Sequence, residues 1–293
     1  MNVNREQILI EALPYIREFH DSIMVIKVGG HAMVDPGLME DIVQDVVLLR
    51  YVGIHPIIVH GGGPEITQKM EAMGKKSEFV AGLRITDDET MEIARMVLVG
   101  NINTRIVSAI GTFGGKGLGL SGKDGRLIMA KKKALQHVTV EGREHDVDLG
   151  WVGDVEIINP EILLIAAGKG YIPVIAPIAV DEKGNSLNIN ADTVAGDIAA
   201  AMRAKKLILM TDVPGVLEDP ANKSTRISRI QLENIEDMIA DGTIAGGMIP
   251  KVRSAASAVE KDVEKVHIID GSKSHSILLE LFTDQGIGTM IFH

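Results

Sequence analysis

The chain contains no cysteine. That single absence excludes disulfides, thiolate metal sites and cysteine nucleophiles together, and it fits a reducing cytoplasm. Positive charge is also in short supply, with 30 lysines and arginines against 40 acidic residues and a net charge of −10. With no basic field to hold a polyanionic backbone, nucleic acid is not an expected partner. Long apolar runs are missing too. The opening segment MNVNREQILIEALPYIREFHDS carries charges throughout, with no apolar h-region and no small-residue cleavage site, so it does not read as a secretory leader. No uninterrupted run reaches the length that crosses a bilayer. The expectation is a soluble, cytoplasmic protein without a membrane partner.

What is present is apolar bulk: 293 residues, 45% of them hydrophobic, enough for a large core near the size at which cores divide into lobes. Short β-rich runs alternate with helical patterns: IMVIKV, a helix through Leu38 to Tyr51, PIIVH, then a helix after Pro64. Such alternation predicts an α/β fold with a mostly parallel sheet covered by helices. The stretch from Gly114 to Gly153, rich in glycine and charge, reads as hairpins, with β-like pieces at Leu127–Ala130 and Val138–Val140. Alternation then resumes. A helix is expected near Pro160–Ala167, a strand over YIPVIAPIAV, a helix from Asp192 to Ala204 and a strand at LILMT. Helices around 229–241 and 247–261 and strands at VHIID and GTMIF complete the pattern. A lobe boundary is expected near Val180 to Asn185, where DEKGN reads as a turn.

Two motifs are decoys. Gly117, Gly119 and Gly122 satisfy G-x-G-x-x-G, but a helical run precedes them and no helix follows, so a glycine-rich hairpin is the better reading. Gly117 to Asp124 falls one residue short of a P-loop. Asp124 stands where a hydroxyl should ligate magnesium, and a carboxylate there would face phosphates.

Six other sites carry chemistry. In IMVIKVGGHAM a buried strand ends in Lys27 and runs into Gly29-Gly30, which sets an ammonium beside exposed backbone N–H groups suited to phosphate. Read alone, this is equally an ordinary strand end. In PIIVHGGGPEI a second strand ends in Gly61, Gly62 and Gly63, a nest of donors at a helix that Pro64 opens. Two such ends in one parallel sheet fall on the same edge, where open α/β folds bind ligands. In GLRITD, Arg84 is suited to a bidentate grip on a carboxylate, and Asp87 to capping the next helix, though read alone Arg84 is better taken as a surface arginine. In LNINADTVAGDIAAAM, Asn188, Asn190 and Asp192 sit where strand gives way to helix, and one of the last two is expected to cap it. LILMTDVPGV offers a turn to a nucleotide, and GGMIPKV offers Lys251, though read singly these are an ordinary turn and a surface lysine.

Taken in order, K-x-G-G, H-G-G-G-P, G-L-R-I-T-D, N-x-N-A-D, T-D-V-P-G-V and G-G-M-x-x-K resemble the amino-acid kinase family over residue 22 to the end. The G-L-R-I-T-D and N-x-N-A-D pair is similar to its branch that phosphorylates N-acetyl-L-glutamate. The resemblance implies a three-layer αβα sandwich with an N-terminal lobe, residues 1–180, for the amino-acid substrate and a C-terminal lobe, residues 181–293, for ATP. It implies Lys27 and Lys251 as the lysines that meet the transferred phosphoryl group, with Asp192 organising them. Gly62, Gly63, Arg84 and Asn188 would hold the substrate. Gly29 and Gly30 would donate to phosphate oxygens, and Asp212, Val213, Pro214 and Gly215 with Gly246 and Gly247 would line the ATP side. Mg²⁺ would be held mainly by ATP, with no protein metal site. His31 departs from the serine or asparagine expected after the glycine pair. A carboxylate nucleophile is already ionised at neutral pH, so no general base is needed, and the work is alignment and charge neutralisation.

Leu9, Leu13 and Ile16 recur at helical spacing before the first strand, with Pro14 expected to kink that helix. The segment is similar to the extension of arginine-inhibited, hexameric family members built as trimers of dimers. The C-terminal stretch HIIDGSKSHSILLELFTDQGIGTMI is similar to their arginine-binding segment, which implies His267, Glu280 and Gly286 as ligands. Two alternatives stay open: a kinase for another small carboxylate, and a non-catalytic amino-acid sensor on the same fold.

Overall fold

The computed structural model describes residues 5–33, 35–80, 82–140, 143–219, 221–284 and 286–293. The side chains of Leu9 and His31 lie outside the described part.

Eight strands make the central sheet: β1 Ile23–Val28, β2 His55–His60, β3 Gly117–Ser121, β4 Ile172–Ala176, β5 Lys206–Thr211, β6 Arg229–Gln231, β7 Lys265–Asp270 and β8 Thr289–Phe292. Their spatial order is β6-β8-β7-β5-β1-β2-β4-β3. The run from β7 to β3 is parallel, and β8 pairs against β7 and parallel to β6. The helices are α1 Arg5–Phe19, α2 Pro36–Tyr51, α3 Gly63–Ala72, α4 Asp88–Arg95, α5 Thr104–Thr112, α6 Glu161–Gly168, α7 Ala191–Ala201, α8 Ile235–Ala240, α9 Met248–Glu260 and α10 Ser276–Leu281.

Both faces of the sheet are covered, as a parallel sheet requires. Strand side chains alternate faces, so Met24, Ile26 and Val28 join Ile42, Val46, Ile93 and Ile106 in one core, while Val25 joins Val194, Ile198, Val252 and Ala255 in the other. The two cores and the sheet between them are the αβα sandwich. Lys27, two residues from Val25, therefore points to the α7 and α9 face.

The expected β1, α2, β2, α3 and β5 agree with the structure to within two or three residues at their ends. Helix α1 runs through Pro14. Three expectations are corrected. Gly117–Ser121 is a parallel edge strand of the central sheet, where a hairpin was expected, because Gly117 and Gly119 let the strand press against Val107 and Asn103. The expected single strand over YIPVIAPIAV divides at Pro177 into β4 and Ile178–Val180, which joins a second sheet with Ser186–Asn188, Ile128–Lys132 and Gly153–Ile158. Arg229–Gln231, expected as helix, is a strand whose exposed-buried-exposed pattern has the period of two that pairing with β8 demands.

The 181–185 turn closes the antiparallel pairing of Ile178–Val180 with Ser186–Asn188. Residues Asp124 and Ser121 also make a turn, in which the Ser121 hydroxyl and N–H donate to the Asp124 carboxylate. Between α4 and α5, Met96–Asn103 forms a π-helix. By length and composition the 25-residue stretch Asp88–Thr112 could cross a membrane, but Ile93, Leu98, Ile102, Ile106 and Ile110 on it are buried in the core.

Candidate active site

Three neighbouring strands, β2, β1 and β5, end on one edge of the sheet and release the loops that carry the predicted residues. Register sets Val28 beside His60 and Lys27 beside Leu209. The first two loops touch backbone to backbone: a Cβ on Gly61 would lie 3.9 Å from the Gly29 Cα. The Gly61 N–H donates to the Val28 carbonyl at 2.8 Å, so the expected three-donor nest is corrected to two, with Gly61 serving the loop's own structure. Gly62 and Gly63 begin α3, where the first N–H groups have no intrahelical acceptor.

The Lys27 ammonium lies across Gly29 and sits 2.9 Å from the Asp192 carboxylate, both side chains being largely buried. Asp192 is available for this because Asn190 takes the cap of α7, its side chain accepting from the N–H groups of Asp192 and Thr193. The carboxylate of Asp212 packs against Gly30, whose φ of 64° begins a 3₁₀ turn.

Arg84 lies beneath a two-stranded turn, Phe79–Val80 with Leu83–Arg84, and is 6% exposed. Its guanidinium donates to the Gly63 carbonyl (2.9 Å), to Thr67 Oγ1 (2.8 Å), to Ser77 Oγ and to Met70 Sδ, and the Phe79 ring covers it at 4.6 Å. Every one of those partners is neutral. Burial pulls the guanidinium below its ordinary pKa, and among the described residues no carboxylate pairs with it. It borders a cavity of about 190 Å³ lined also by Gly61, Gly62, Gly63, Leu98 and Asn188. Asn188 and Thr86 are tied to the intervening segment by backbone bonds. Thr86 exchanges bonds with Leu149 and Trp151, and the Asn188 N–H donates to the Trp151 carbonyl. A buried cation without a counter-ion, beside orphan N–H groups and an amide, is built to receive an anion.

Past the end of β5, a cavity of about 380 Å³ is lined by Asp212, Val213, Gly215, Val216, Leu217, Thr243, Gly247, Met248 and Lys251. Of the residues expected on the ATP side, Pro214 is buried in the turn and Gly246 precedes α9 at a φ of 55°, and neither lines this cavity. Lys251 opens into it from α9, and of the two lysines it is Lys27 that pairs with Asp192. A mostly apolar slot leading to an ammonium fits a nucleoside polyphosphate. Among the described residues no group of three or more His, Asp or Glu is arranged to hold a metal ion.

Residues 22–270 match the family model described as the amino acid kinase family. The chain belongs to that family. It is 73% identical over 292 residues to the acetylglutamate kinase of Methanococcoides burtonii, spanning 100% of this chain and 96% of the relative. Its identity to the acetylglutamate kinase of Methanosarcina mazei is 68%, spanning all of both chains. Among solved structures, the N-acetylglutamate synthase of Neisseria gonorrhoeae, complexed with coenzyme A and N-acetyl-glutamate, superposes with a TM-score of 0.85 at 23% identity. That match covers 99% of this chain and 64% of the synthase chain, and at such identity it speaks for the fold alone. As a family member the chain is a kinase.

A third pocket of this kinase lies at the starts of β5 and β7. His267 and Glu280 are buried and joined at 2.5 Å, with the Lys206 ammonium 3.2 Å from the other ring nitrogen of His267. Glu280 also accepts from the N–H groups of Ile287 and Gly288, and its carboxylate lies against Gly286. Burial pushes the Glu280 carboxyl up, and these bonds more than offset it, leaving its pKa below the ordinary value. Burial lowers Lys206 to about 8, aided by nearby Lys265. The three predicted residues thus meet around one cavity, lined also by Tyr15, Phe19 and Arg226. Lys206 escaped the sequence reading because a lysine opening a strand carries no signal of burial.

Proposed function

We propose that this kinase transfers the γ-phosphoryl group of ATP to the γ-carboxylate of N-acetyl-L-glutamate, giving N-acetyl-L-glutamyl 5-phosphate and ADP. This is the second step of arginine biosynthesis. The observation that carries the reading is Arg84, a buried cation lacking an anionic partner and bordering a cavity shared with Gly62, Gly63 and Asn188. The acetylglutamate kinases of high identity support it.

Arg84 and Asn188 hold the substrate's carboxylate and amide groups, and Gly62 and Gly63 N–H groups meet the reacting carboxylate. Lys27, kept in place by Asp192, neutralises charge on the transferred phosphoryl oxygens from one side, and Lys251 does so from the nucleotide side. Gly29 and Gly30 donate to phosphate oxygens. The turn 212–215 with Gly247 receives the nucleotide, and Gly246 sets the backbone just before it. Mg²⁺ enters with ATP and supplies further neutralisation when bound. Residues 1–180 form the lobe for the amino acid, 181–293 the lobe for ATP, and the enzyme works in the cytoplasm.

The test is ATP-dependent hydroxamate formation in hydroxylamine, which traps acyl phosphates. N-acetylglutamate is compared with glutamate, aspartate and N-acetyl-aminoadipate. Turnover confined to N-acetylglutamate supports the reading; turnover only with another carboxylate replaces the substrate, and no hydroxamate at all favours the non-catalytic sensor.

The pocket around His267, Glu280 and Gly286 takes arginine as a feedback inhibitor, and α1 joins dimers into a hexamer. The juxtaposition of carboxylates and cations around that cavity supports a ligand carrying both charges. Inhibition assays and solution mass with and without residues 1–20 test this. A dimer indifferent to arginine would refute it.

A further inference from the structure

His60 ends β2 and is fully buried, yet the phosphoryl-transfer chemistry just described leaves it without a role. Its two ring nitrogens face opposite kinds of partner. Nδ1 lies 2.8 Å from the carbonyl oxygen of Gly61, and Nε2 lies 3.2 Å from the side-chain amide nitrogen of Asn103. That amide nitrogen also meets the carbonyls of Val174 at 2.8 Å and Leu120 at 3.3 Å, which fixes it as the donor end: one hydrogen goes to Val174 and the other is shared between Leu120 and the ring. Gly119 leaves the space that the Asn103 oxygen occupies. A carbonyl requires a donor and an amide NH₂ requires an acceptor. The ring must therefore carry its proton on Nδ1 and a lone pair on Nε2. Burial lowers the His60 pKa to about 4, so the ring is neutral in this arrangement.

The consequence falls on the peptide joining Gly61 to Gly62. In a trans peptide the carbonyl oxygen and the following N–H point to opposite sides. Holding the Gly61 carbonyl on the His60 ring thus fixes the direction of the Gly62 N–H, and Gly62 lines the Arg84 cavity. A peptide between two glycines has no Cβ to resist turning over. If it turned, a carbonyl oxygen would face an anionic substrate in place of a donor. The Gly61 N–H, bonded to Val28, anchors the peptide before it and leaves this one free to rotate.

We propose that His60 is a positioning residue: its Nδ1–H, set by Asn103, locks the Gly61–Gly62 peptide so that the Gly62 N–H serves the reacting carboxylate. This rests on the reading of the Arg84 cavity as the carboxylate site. Asn103 owes its position to the π-helix that ends with it, which turns the amide toward two strands and the ring at once.

Asparagine and glutamine separate the two nitrogens, because an asparagine amide nitrogen falls near the Nδ1 position and a glutamine amide nitrogen near Nε2. In the full-length enzyme, His60→Gln should lower kcat/KM for N-acetylglutamate about a hundredfold, as loss of one aligned donor does. KM for ATP should stay within about twofold, and His60→Asn should recover most of the lost rate. Crystal structures should find the Gly61 carbonyl turned in the glutamine variant and unturned in the asparagine variant. Equal impairment of both variants, or an unturned carbonyl in His60→Gln, would overturn the proposal. If the unaltered enzyme fails to phosphorylate N-acetylglutamate, the substrate reading falls and the carbonyl orientation still decides this one. Nitrogen-15 NMR of the unaltered protein needs no variant to fold: it should find His60 as the Nδ1–H tautomer across neutral pH, and the Nε2–H tautomer would refute the lock.

Discussion

Replacing Asp192 by asparagine, alone and together with Lys27→Met, isolates what the buried pair does for catalysis. The two groups stand 2.9 Å apart with side chains only 12% and 16% exposed. At an effective dielectric of about 20 their gross attraction is roughly 6 kcal/mol, much of it offset by the cost of taking both charges out of water. What remains holds the ammonium over Gly29. Lys27→Met removes a preorganised positive donor and should lower kcat by about 10² to 10³, or roughly 2.7–4 kcal/mol of barrier. Asp192→Asn keeps a hydrogen-bonding oxygen but loses the charge, and should lower kcat by about tenfold or more. Because Asp192 acts through Lys27, the double variant should be no slower than Lys27→Met alone. Hydroxamate formation at saturating substrates measures all three rates. If the two losses instead multiply, Asp192 has a task independent of Lys27 and the reasoning fails.

Three further outcomes are expected. Arg84→Lys replaces a planar fork held by Thr67, Ser77 and the Gly63 carbonyl with a point charge, so KM for N-acetylglutamate should rise by roughly tenfold or more with kcat changed less; initial rates with an unchanged KM would remove Arg84 from the site. Trp151, the one tryptophan, donates to Asp88 at 2.6 Å and sits on the segment between Thr86 and Asn188, so its fluorescence should change on titration with N-acetylglutamate, and a flat titration would count against that cavity. Burial pushes the Asp45 carboxyl up to about 6 against the pull of His275, and the bond to Asp45 raises His275 in turn. Both raised values mean that the folded state binds more protons than the unfolded chain, so this stability is present at the acid end and lost as pH rises through those values. Asp45→Asn should therefore flatten the fall in Tm that begins near about pH 4 and runs through about pH 6, and parallel falls in parent and variant would refute the assignment.

Much of the candidate site's placement was legible because punctuation and chemistry coincide in it. Lys27, Gly29, Gly30, Gly62 and Gly63 stand where strands meet glycines, and a parallel sheet brings all such ends to one edge. The cap of α7 illustrates the limit. Asn190 and Asp192 are both good capping residues, and only the pairing of Asp192 with Lys27, far away in sequence, assigns the cap to Asn190. Gly61 likewise reads as a donor to a ligand until β1 is laid beside β2 and its N–H meets Val28. The short strand Arg229–Gln231 exists because Thr289–Phe292 lies beside it, a partner that no local pattern announces. His60 and Asn103 are 43 residues apart, and the π-helix that joins them depends on packing against β3 and β4. Pattern carried the elements and their edge; side-chain pairing across the sequence carried the rest.

Strand β5 has Lys206 at one end, inside the His267 pocket, and Asp212 just past the other, on the wall of the cavity that Lys251 enters. The span is about 20 Å of buried, doubly paired backbone. Such a rod has no soft joint. Force applied at its Lys206 end reaches Asp212 only if the strand travels as a whole, carrying β1 and Lys27 with it through their shared hydrogen bonds. A molecule seated beside His267 that shifted β5 would therefore move Asp212, β1 and Lys27 together, acting at a distance by displacement of paired strands while leaving each site's own contacts intact.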